Sequence, residues 1–246
     1  MTDNSFGDMT SDGLEATKDT LGGFRIYDTD VYDFTIKMAY AGKSATSNAR
    51  SITFHLEDEA SGSEYRETIW ISNKEGLNYK LDEKDPKKKI PQIGFVTVDE
   101  LCLLATEKPL SAQITEEKII PLYDFDAQKE LPKPVYVVTS LLGQKIKAAV
   151  ERTKKFKQAK DASGNFVDTK DTKEENQIQK IFHHESKKTV NEYREGKEAS
   201  FHDQWLAKNK SKTNDRTTKG SRNSGAARPE ASGGRQAGAG NSLFDK

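Results

Sequence analysis

The chain has 246 residues, of which 33% are hydrophobic and 32% are charged. This length suits one mid-sized domain with appendages, and the low hydrophobic fraction excludes a fully compact globule. A single cysteine, Cys102, excludes an internal disulfide framework. No stretch approaches the roughly 18 apolar residues of a membrane-spanning helix, and no basic segment followed by an apolar core opens the chain. We therefore expect a cytoplasmic protein.

The net charge of zero conceals a division along the chain. From Leu141 onwards there are 23 Lys+Arg and 14 Asp+Glu, whereas the residues before it contain 16 and 25. Such asymmetry is typical of a protein whose basic part meets a polyanion. A solvated charged surface would give the same totals, so charge alone leaves both explanations open.

Three β-strands are predicted in succession after a polar, acidic tail. Apolar residues recur at every second position in the first strand, which predicts one buried face made of Tyr32, Phe34, Ile36, Met38 and Tyr40. Residues 51–56 alternate in the same way, and the stretch EYRETIWIS, residues 64–72, follows after a turn. Strands at hairpin spacing predict an antiparallel meander rather than a βαβ unit.

The third strand raises the question of which way Trp70 points. Alternation places Trp70 on the face of Arg66, and it places Tyr65 and Ile69 on the other face together with Glu67, which has no predicted partner. A tryptophan among polar neighbours is expected where its face meets another layer or a ligand. The alternation of side chains along the strand favours burial and exposure of Trp70 about equally. The position of the strand among lysine-bearing loops favours exposure.

The middle of the chain predicts a loop, a helix and extended segments. Residues 77–94 are charged and contain prolines, which is typical of a surface loop. The letters T-V-D-E at 97–100 form a capping box before an apolar run, so we expect a short inserted helix from there to residue 105. Residues 119–134 contain three prolines and are predicted to be an edge strand or loop. Residues 135–142, VYVVTSLL, are predicted to be a central, covered strand.

The last third predicts a basic arm and a helical extension. Residues 144–160 fit either a strand or a helix, and the turn signal DASGNF after them favours one arm of a long basic hairpin. Residues 176–185 follow as a further strand. A second capping box at 189–192, and Phe201 and Trp205 four residues apart, predict a C-terminal helical extension.

The fold class we expect is therefore mostly β: an elaborated OB-like antiparallel barrel with an inserted short helix, a long basic hairpin and a C-terminal helical extension. The domain itself spans residues 23–213. An acidic disordered tail precedes it at 1–22, and a Gly/Ser/Arg-rich disordered tail follows it at 214–246.

Signatures of enzymes are missing from the sequence. It contains no phosphate-binding loop, dinucleotide fingerprint or nucleophile elbow, and its four histidines and one cysteine lack the spacing of zinc ligands. We expect no catalysis, no metal and no cofactor. The first alternative is a metal-dependent nuclease, because two-metal hydrolysis needs clustered carboxylates such as Asp28, Asp30, Asp124 and Asp126. The second alternative is a structural or adaptor protein that binds no DNA.

Single-stranded DNA binding accounts for more of the sequence. Such proteins combine a cationic track for the backbone with aromatic platforms for the bases. Trp70 lies between Arg66 and Lys74, each four residues or about 13 Å away along an extended chain. Taken singly, the lysines are more simply explained as solubilising. Together, the candidate DNA-binding residues are Lys37, Lys43, Arg50, Arg66, Trp70, Lys74, Tyr79, Lys145, Lys147, Arg152, Lys154 and Phe156.

Four stretches resemble the single-stranded DNA-binding proteins encoded by tailed bacteriophages: YRETIWISNKEGLNYK, VTSLLGQKIKAAV, NQIQKIF and FHDQWLAKNKSKT. They span roughly residues 24–213. The resemblance implies an OB-like barrel that coats unwound DNA during phage replication, recombination or repair in the host cytoplasm, without catalysis. It implies DNA contacts at Arg66, Trp70 and Lys74, and less directly along the arm from Lys145 to Phe156.

The C-terminal end departs from that family. Many members end in an acidic tip with a hydrophobic residue, which recruits replication enzymes and competes with DNA. Here the end reads NSLFDK, in which Leu243 and Phe244 are hydrophobic but only Asp245 is acidic. Replication or recombination proteins are the partners expected at these three residues, although the lost acidity weakens that expectation.

Overall fold

The computed structural model describes residues 25–124, 127–161 and 166–217. The protein is mostly antiparallel β, as predicted, with three α-helices in the described residues. Its elements in chain order are β1 (Asp30–Lys43), β2 (Arg50–Asp58), β3 (Glu64–Trp70), β4 (Tyr79–Leu81), β5 (Lys89–Pro91), α1 (Ile93–Thr106), β6 (Thr115–Asp124), β7 (Lys129–Val138), β8 (Lys145–Lys160), β9 (Phe166–His183), α2 (Val190–Arg194), α3 (Phe201–Asn209) and β10 (Thr213–Asp215). The tail predicted at 1–22 lies outside the described residues, and so does the tail predicted at 214–246 from residue 218 onwards; residues 214 and 215 belong to β10.

Five strands form a barrel-like sheet that is not closed. The predicted meander of β1, β2 and β3 is confirmed, and β8 pairs with the other edge of β1 while β9 pairs with β8. The order β9-β8-β1-β2-β3, with α1 between β3 and β8 in the chain, is that of a five-stranded OB-type barrel. In the described residues no strand ladder joins β3 to β9. An open seam therefore runs between these two strands.

The hydrophobic core lies between this sheet and α1. Phe34, Phe54 and Leu56 point inward from the meander, and Leu101 of α1 and Ile146 of β8 meet them; all five are fully buried. Cys102 is buried in the same core, and burial raises the pKa of its thiol to about 12. Its role is therefore that of a small apolar side chain.

A β-bulge in β1 overturns part of the predicted alternation. The register with β2 shifts between Ile36 and Met38, so one extra residue is inserted there. Ile36 faces the core as predicted, but Ala39 takes the next core position. Tyr40 then lies opposite Thr53 on the outer face. The prediction that Tyr40 shares the buried face was wrong because an extra residue reverses the parity of every position after it.

Helix α1 begins more than a turn before the predicted start. Its N-cap is Gln92, which makes no side-chain capping bond, and Thr97 lies within the helix with its hydroxyl donating to the Ile93 carbonyl at 3.1 Å. The capping box predicted at 97–100 was therefore wrong. The second box is confirmed: Thr189 and Glu192 cap each other's backbone at the start of α2.

The first turn of α1 packs directly on the end of β3 because residue 94 is glycine. A Cβ at this position would lie 2.0 Å from the Trp70 carbonyl oxygen. We expect Gly94→Ala to lower the free energy of unfolding by about 1–3 kcal/mol, the usual cost of overpacking. Denaturant unfolding measures this loss. Ile93→Ala, at the exposed neighbouring residue, should change it by less than about 0.5 kcal/mol; equal stability of the two variants would contradict the prediction.

Two long hairpins extend from the barrel. Residues 119–134 lie in the β6–β7 hairpin, where Pro121 faces Pro132, and the predicted edge character is confirmed. The central strand predicted at 135–142 is confirmed in part: β7 pairs with both β6 and β1, and Val137 and Val138 are buried. However, β7 ends at Val138, and Tyr136 is 57% exposed. Residues 145–160 form a strand of the β8–β9 hairpin. Of the two alternatives for this segment, a strand or a helix, the strand that forms one arm of a long hairpin is therefore confirmed.

The predicted helical extension is confirmed as α2 and α3. Trp205 packs with Ala149 and Phe182 in a small cluster separate from the main core, and Phe201 on the same helix remains 39% exposed. After α3 the chain forms β10, which pairs in parallel with β8 from Thr213 to Asp215. None of the helices within the described ranges is long and apolar enough to cross a membrane.

Candidate nucleic-acid interface

The outer face of the meander carries Trp70. We define this outer face by three rows of paired residues: Gly42, Ser51 and Trp70; Tyr40, Thr53 and Thr68; and Met38, His55 and Arg66. Trp70 is 50% exposed there, whereas Tyr65 and Ile69 on the other face are buried. The prediction that Trp70 is exposed is confirmed, and so is the inward direction of its neighbours.

Short side chains lie beside Trp70 on the neighbouring strands. The residues paired next to it across the sheet are Ser51 and Gly42, and a Cβ on Gly42 would lie 2.8 Å from the Ser51 hydroxyl. In the next row, the Thr53 and Thr68 hydroxyls hydrogen-bond each other at 2.8 Å. Ser51 and Thr53 are buried, so the part of this face that a ligand can reach lies along β3, where Trp70 and Thr68 are exposed.

Arg66 is held in place by a residue that the sequence did not indicate. Its Nη2 donates a hydrogen bond of 2.9 Å to the hydroxyl of Tyr40, which is only 5% exposed and contacts the His55 ring. Tyr40 is too buried to stack on a ligand and serves to orient the guanidinium. The bulge in β1 creates this contact, and no pattern in the sequence indicated the bulge.

Three exposed cations surround the end of β3; we call Lys43, Arg50 and Lys74 the rim cluster. Lys43 and Arg50 face each other across β1 and β2, one position beyond the row of Trp70. Strand alternation therefore directs their side chains toward the opposite face, at the same end of the sheet as Trp70. The Ile71 N–H donates to the Arg50 carbonyl, and the Asn48 N–H donates to the Lys74 carbonyl, so the loops holding all three are joined. Within the described part of the chain, none of the three has a carboxylate within 4.0 Å.

Other candidate cations are already engaged by carboxylates. Lys37 pairs with Glu57 at 3.4 Å, Lys145 pairs with Glu59 at 2.8 Å, and Lys147 pairs with Asp33. A fourth cation, Arg152, pairs with Asp28 at 3.0 Å and with Glu174 at 2.6 Å. A phosphate would have to compete with these partners, so the basic arm is less available than its composition suggests.

The remaining candidates lie apart from the rim cluster. Because β8 runs antiparallel to β1, its end bearing Lys154 and Phe156 lies beyond Asp30, at the opposite end of β1 from Lys43. Tyr79 belongs to the separate β4–β5 pair, where the Lys89 ammonium sits 4.5 Å from its ring centroid. The structure thus brings together Arg66, Trp70 and the rim cluster, and it leaves the arm and Tyr79 outside this surface.

The carboxylates of the nuclease alternative are engaged by cations. Asp28 pairs with Arg152, Asp30 pairs with Lys210 at 2.9 Å, and Asp124 pairs with Lys133 at 2.7 Å. The fourth aspartate of that alternative, at position 126, lies outside the described residues, as do Leu243, Phe244 and Asp245. In the described ranges, no three His, Cys, Asp or Glu side chains are grouped to hold a metal ion.

Glu67, which had no predicted partner, bridges the open seam. Its Oε2 accepts hydrogen bonds from the Tyr65 hydroxyl at 2.6 Å and from the Ile178 N–H of β9 at 2.9 Å. Burial raises the pKa of Glu67 above its usual range, and the hydrogen bonds from Tyr65 and Ile178 oppose that rise only in part. Glu67 therefore fastens β3 to β9 at the cost of burying a carboxylate.

The raised pKa predicts a pH-dependent effect of Glu67→Gln. A carboxyl whose pKa rises on folding contributes less stability as pH increases above the unfolded value of 4.5. Glutamine keeps an oxygen that can accept both hydrogen bonds and carries no charge. We expect similar thermal stability of variant and wild type at pH 4, and at pH 8 a higher melting temperature for the variant. Thermal unfolding across this range measures the difference.

Glu117→Gln provides the matched control for this pH series. Glu117 is exposed on β6, and its replacement should give no gap that widens with pH. A Glu67→Gln variant that loses stability at pH 8 would show that the charge on Glu67 stabilises the seam.

No protein-family model matches the chain, and no curated protein matches its sequence. The function is therefore inferred from the geometry of this surface.

Proposed function

We propose that the protein binds single-stranded DNA without catalysis and with little sequence preference, through the outer face and the rim cluster. The observation that carries the proposal is the half-exposed indole of Trp70, which lies in an exposed row of β3 with Thr68 and Arg66. Three exposed cations without carboxylate partners among the described residues lie at the same end of the sheet. Single-strand binders combine two interactions, stacking of bases on aromatic rings and contacts of cations with phosphates.

The same geometry favours unpaired over paired strands. In a duplex the flat faces of the bases are covered by their neighbours, so an indole fixed at the end of a strand has no face on which to stack. A single strand can turn a base onto Trp70 while its phosphates reach Arg50 or Lys74. Every base has a π-face, so stacking of this kind tolerates any sequence.

The resemblance to phage proteins supplies a biological setting for this proposal. The protein would coat DNA exposed during phage replication, recombination or repair in the host cytoplasm. Replication or recombination proteins are the proposed partners, at Leu243, Phe244 and Asp245.

Protein binding is a second candidate function because the β6–β7 hairpin exposes apolar side chains. Ile119 is 73% exposed, and Tyr123 and Tyr136 are about half exposed on the same two-stranded element. Two-stranded hairpins are marginally stable alone, and apolar patches of this kind often contact other proteins. This surface is compatible with DNA binding elsewhere on the barrel.

Labelled oligonucleotides, single- and double-stranded, titrated across a salt series with and without magnesium, test these functions. We expect tight binding of the single strand and weak binding of the duplex, with log K falling as log salt rises by about 0.7 per phosphate contacted. Cleavage that requires magnesium would favour the nuclease alternative. Absence of binding to either form at low salt would overturn the proposal and leave the adaptor alternative.

A further inference from the structure

A cavity opens beside Trp70 where the seam between β3 and β9 is not paired. We call it the seam cavity; its volume is about 260 Å³, and its lining includes Glu67, Thr68, Trp70, Thr97, Gln177 and Gln179. The start of α1 closes one end, and Gly94 holds that helix against the Trp70 backbone. Trp70 therefore borders both the seam cavity and the proposed DNA-binding surface.

The floor of the seam cavity provides a hydrogen-bond acceptor. The two hydrogen bonds that Glu67 accepts both reach Oε2. Its Oε1 accepts no hydrogen bond from any described residue, so this oxygen is available to the cavity that Glu67 lines. Two further polar groups stand beside it on β9, where the Gln179 amide donates to Gln177 Oε1 at 3.3 Å.

We propose that the seam cavity binds one nucleobase bearing an exocyclic amino group, which enters beside Trp70 with its amino group directed to Glu67. Cytosine, adenine and guanine carry such a group, whereas thymine and uracil do not. A carboxylate is the usual acceptor for the N4 amino group of cytosine, and glutamine amides adapt to the remaining edge because each can donate and accept.

This inference rests on the proposed function, because the nucleobase reaches the cavity as part of a single strand held by the rim cluster. It also predicts one exception to the expected lack of sequence preference. Most nucleotides of a bound strand would be held by charge and stacking, and one position would discriminate amino-bearing bases from thymine. Recognition of an unstacked base by side chains at its polar edge is the common mode for single strands.

Oligo(dC) and oligo(dU) of equal length provide a matched test. Cytosine carries an amino group at position 4 and no proton on N3, whereas uracil carries a carbonyl at position 4 and a proton on N3. We expect wild type to bind oligo(dC) at least about fivefold more tightly than oligo(dU) at the same salt. Glu67→Gln should reduce this ratio to about one, since an amide can also donate to the uracil carbonyl. Gln177→Leu is a second variant, at the edge of the cavity, and should also reduce the ratio.

The results that would contradict the proposed function differ from those that would contradict the base site in the seam cavity. Absence of binding to both oligonucleotides overturns the proposed function. Binding of both within about twofold by wild type, or an unchanged ratio in folded Glu67→Gln and Gln177→Leu, overturns the seam cavity as a base site and leaves the proposed function standing.

Discussion

Replacement of Trp70 by alanine is expected to weaken single-stranded DNA binding by about 1–3 kcal/mol, or roughly 5- to 150-fold. The indole is half exposed on the outer face, and its ring is the only tryptophan side chain exposed in the described residues, since Trp205 is 8% exposed in a separate cluster. Removing the ring takes away the stacking platform and leaves the rim cluster in place. Fluorescence anisotropy with a labelled oligonucleotide measures the loss.

Two controls separate binding from folding in this experiment. The melting temperature of Trp70→Ala should stay within a few degrees of wild type, because the indole contributes little to the core; global unfolding would show that the residue is structural. Tyr136→Ala removes an aromatic side chain of similar exposure on the β6–β7 hairpin. It should leave DNA affinity within about twofold, and an equal loss in both variants would argue against a localised stacking site.

The double variant Arg50→Ala/Lys74→Ala should reduce the slope of log K against log salt by about 1.4, at about 0.7 for each lost phosphate contact. If the two proteins converge in affinity at 1 M salt, this difference amounts to about 25-fold weaker binding at 0.1 M. Both cations lie at the rim beside Trp70, and within the described ranges neither has a carboxylate within 4.0 Å. A salt series of binding isotherms provides the slope.

Lys37→Ala/Lys145→Ala is the matched control, because it removes the same number of charges from the same barrel. Lys37 and Lys145 are paired with Glu57 and Glu59, so a phosphate would have to displace a carboxylate to reach them. We expect a slope change below about 0.5. Equal slope changes in the two double variants would mean that DNA responds to net charge and does not recognise the rim cluster.

The alternation of residues 51–56 and 64–70 was sufficient to predict the meander and the face on which Trp70 lies, and the lysine-bearing loops beside the strand added the expectation that Trp70 is exposed. A strand has a strict two-residue period, so the direction of each side chain follows from its parity once one face is identified. The second capping box was predicted for a similar reason, because its bonds join residues three apart in the chain. Features defined by neighbours in sequence were therefore accessible without coordinates.

Predictions failed where the local structure depends on contacts between residues that are distant in the sequence. The bulge between Ile36 and Met38 is an insertion relative to β2, so the alternation of β1 did not predict that Tyr40 lies on the outer face or that it bonds to Arg66. The first capping box failed for a related reason, since α1 starts where Gly94 can approach the carbonyl of Trp70. In both cases a partner far along the chain set the local structure.

The sequence by itself determined the β-rich class, the meander, the helical extension and the face of β3 that carries Trp70, because these follow from short-range periodicity and from hydrophobic burial. Only the tertiary structure decided which cations are free to meet a phosphate, because ion pairs such as Arg152 with Asp28 join residues that are distant in the chain. It also assigned Glu67 to the open seam, since the partners of a buried carboxyl depend on how β3 and β9 approach each other.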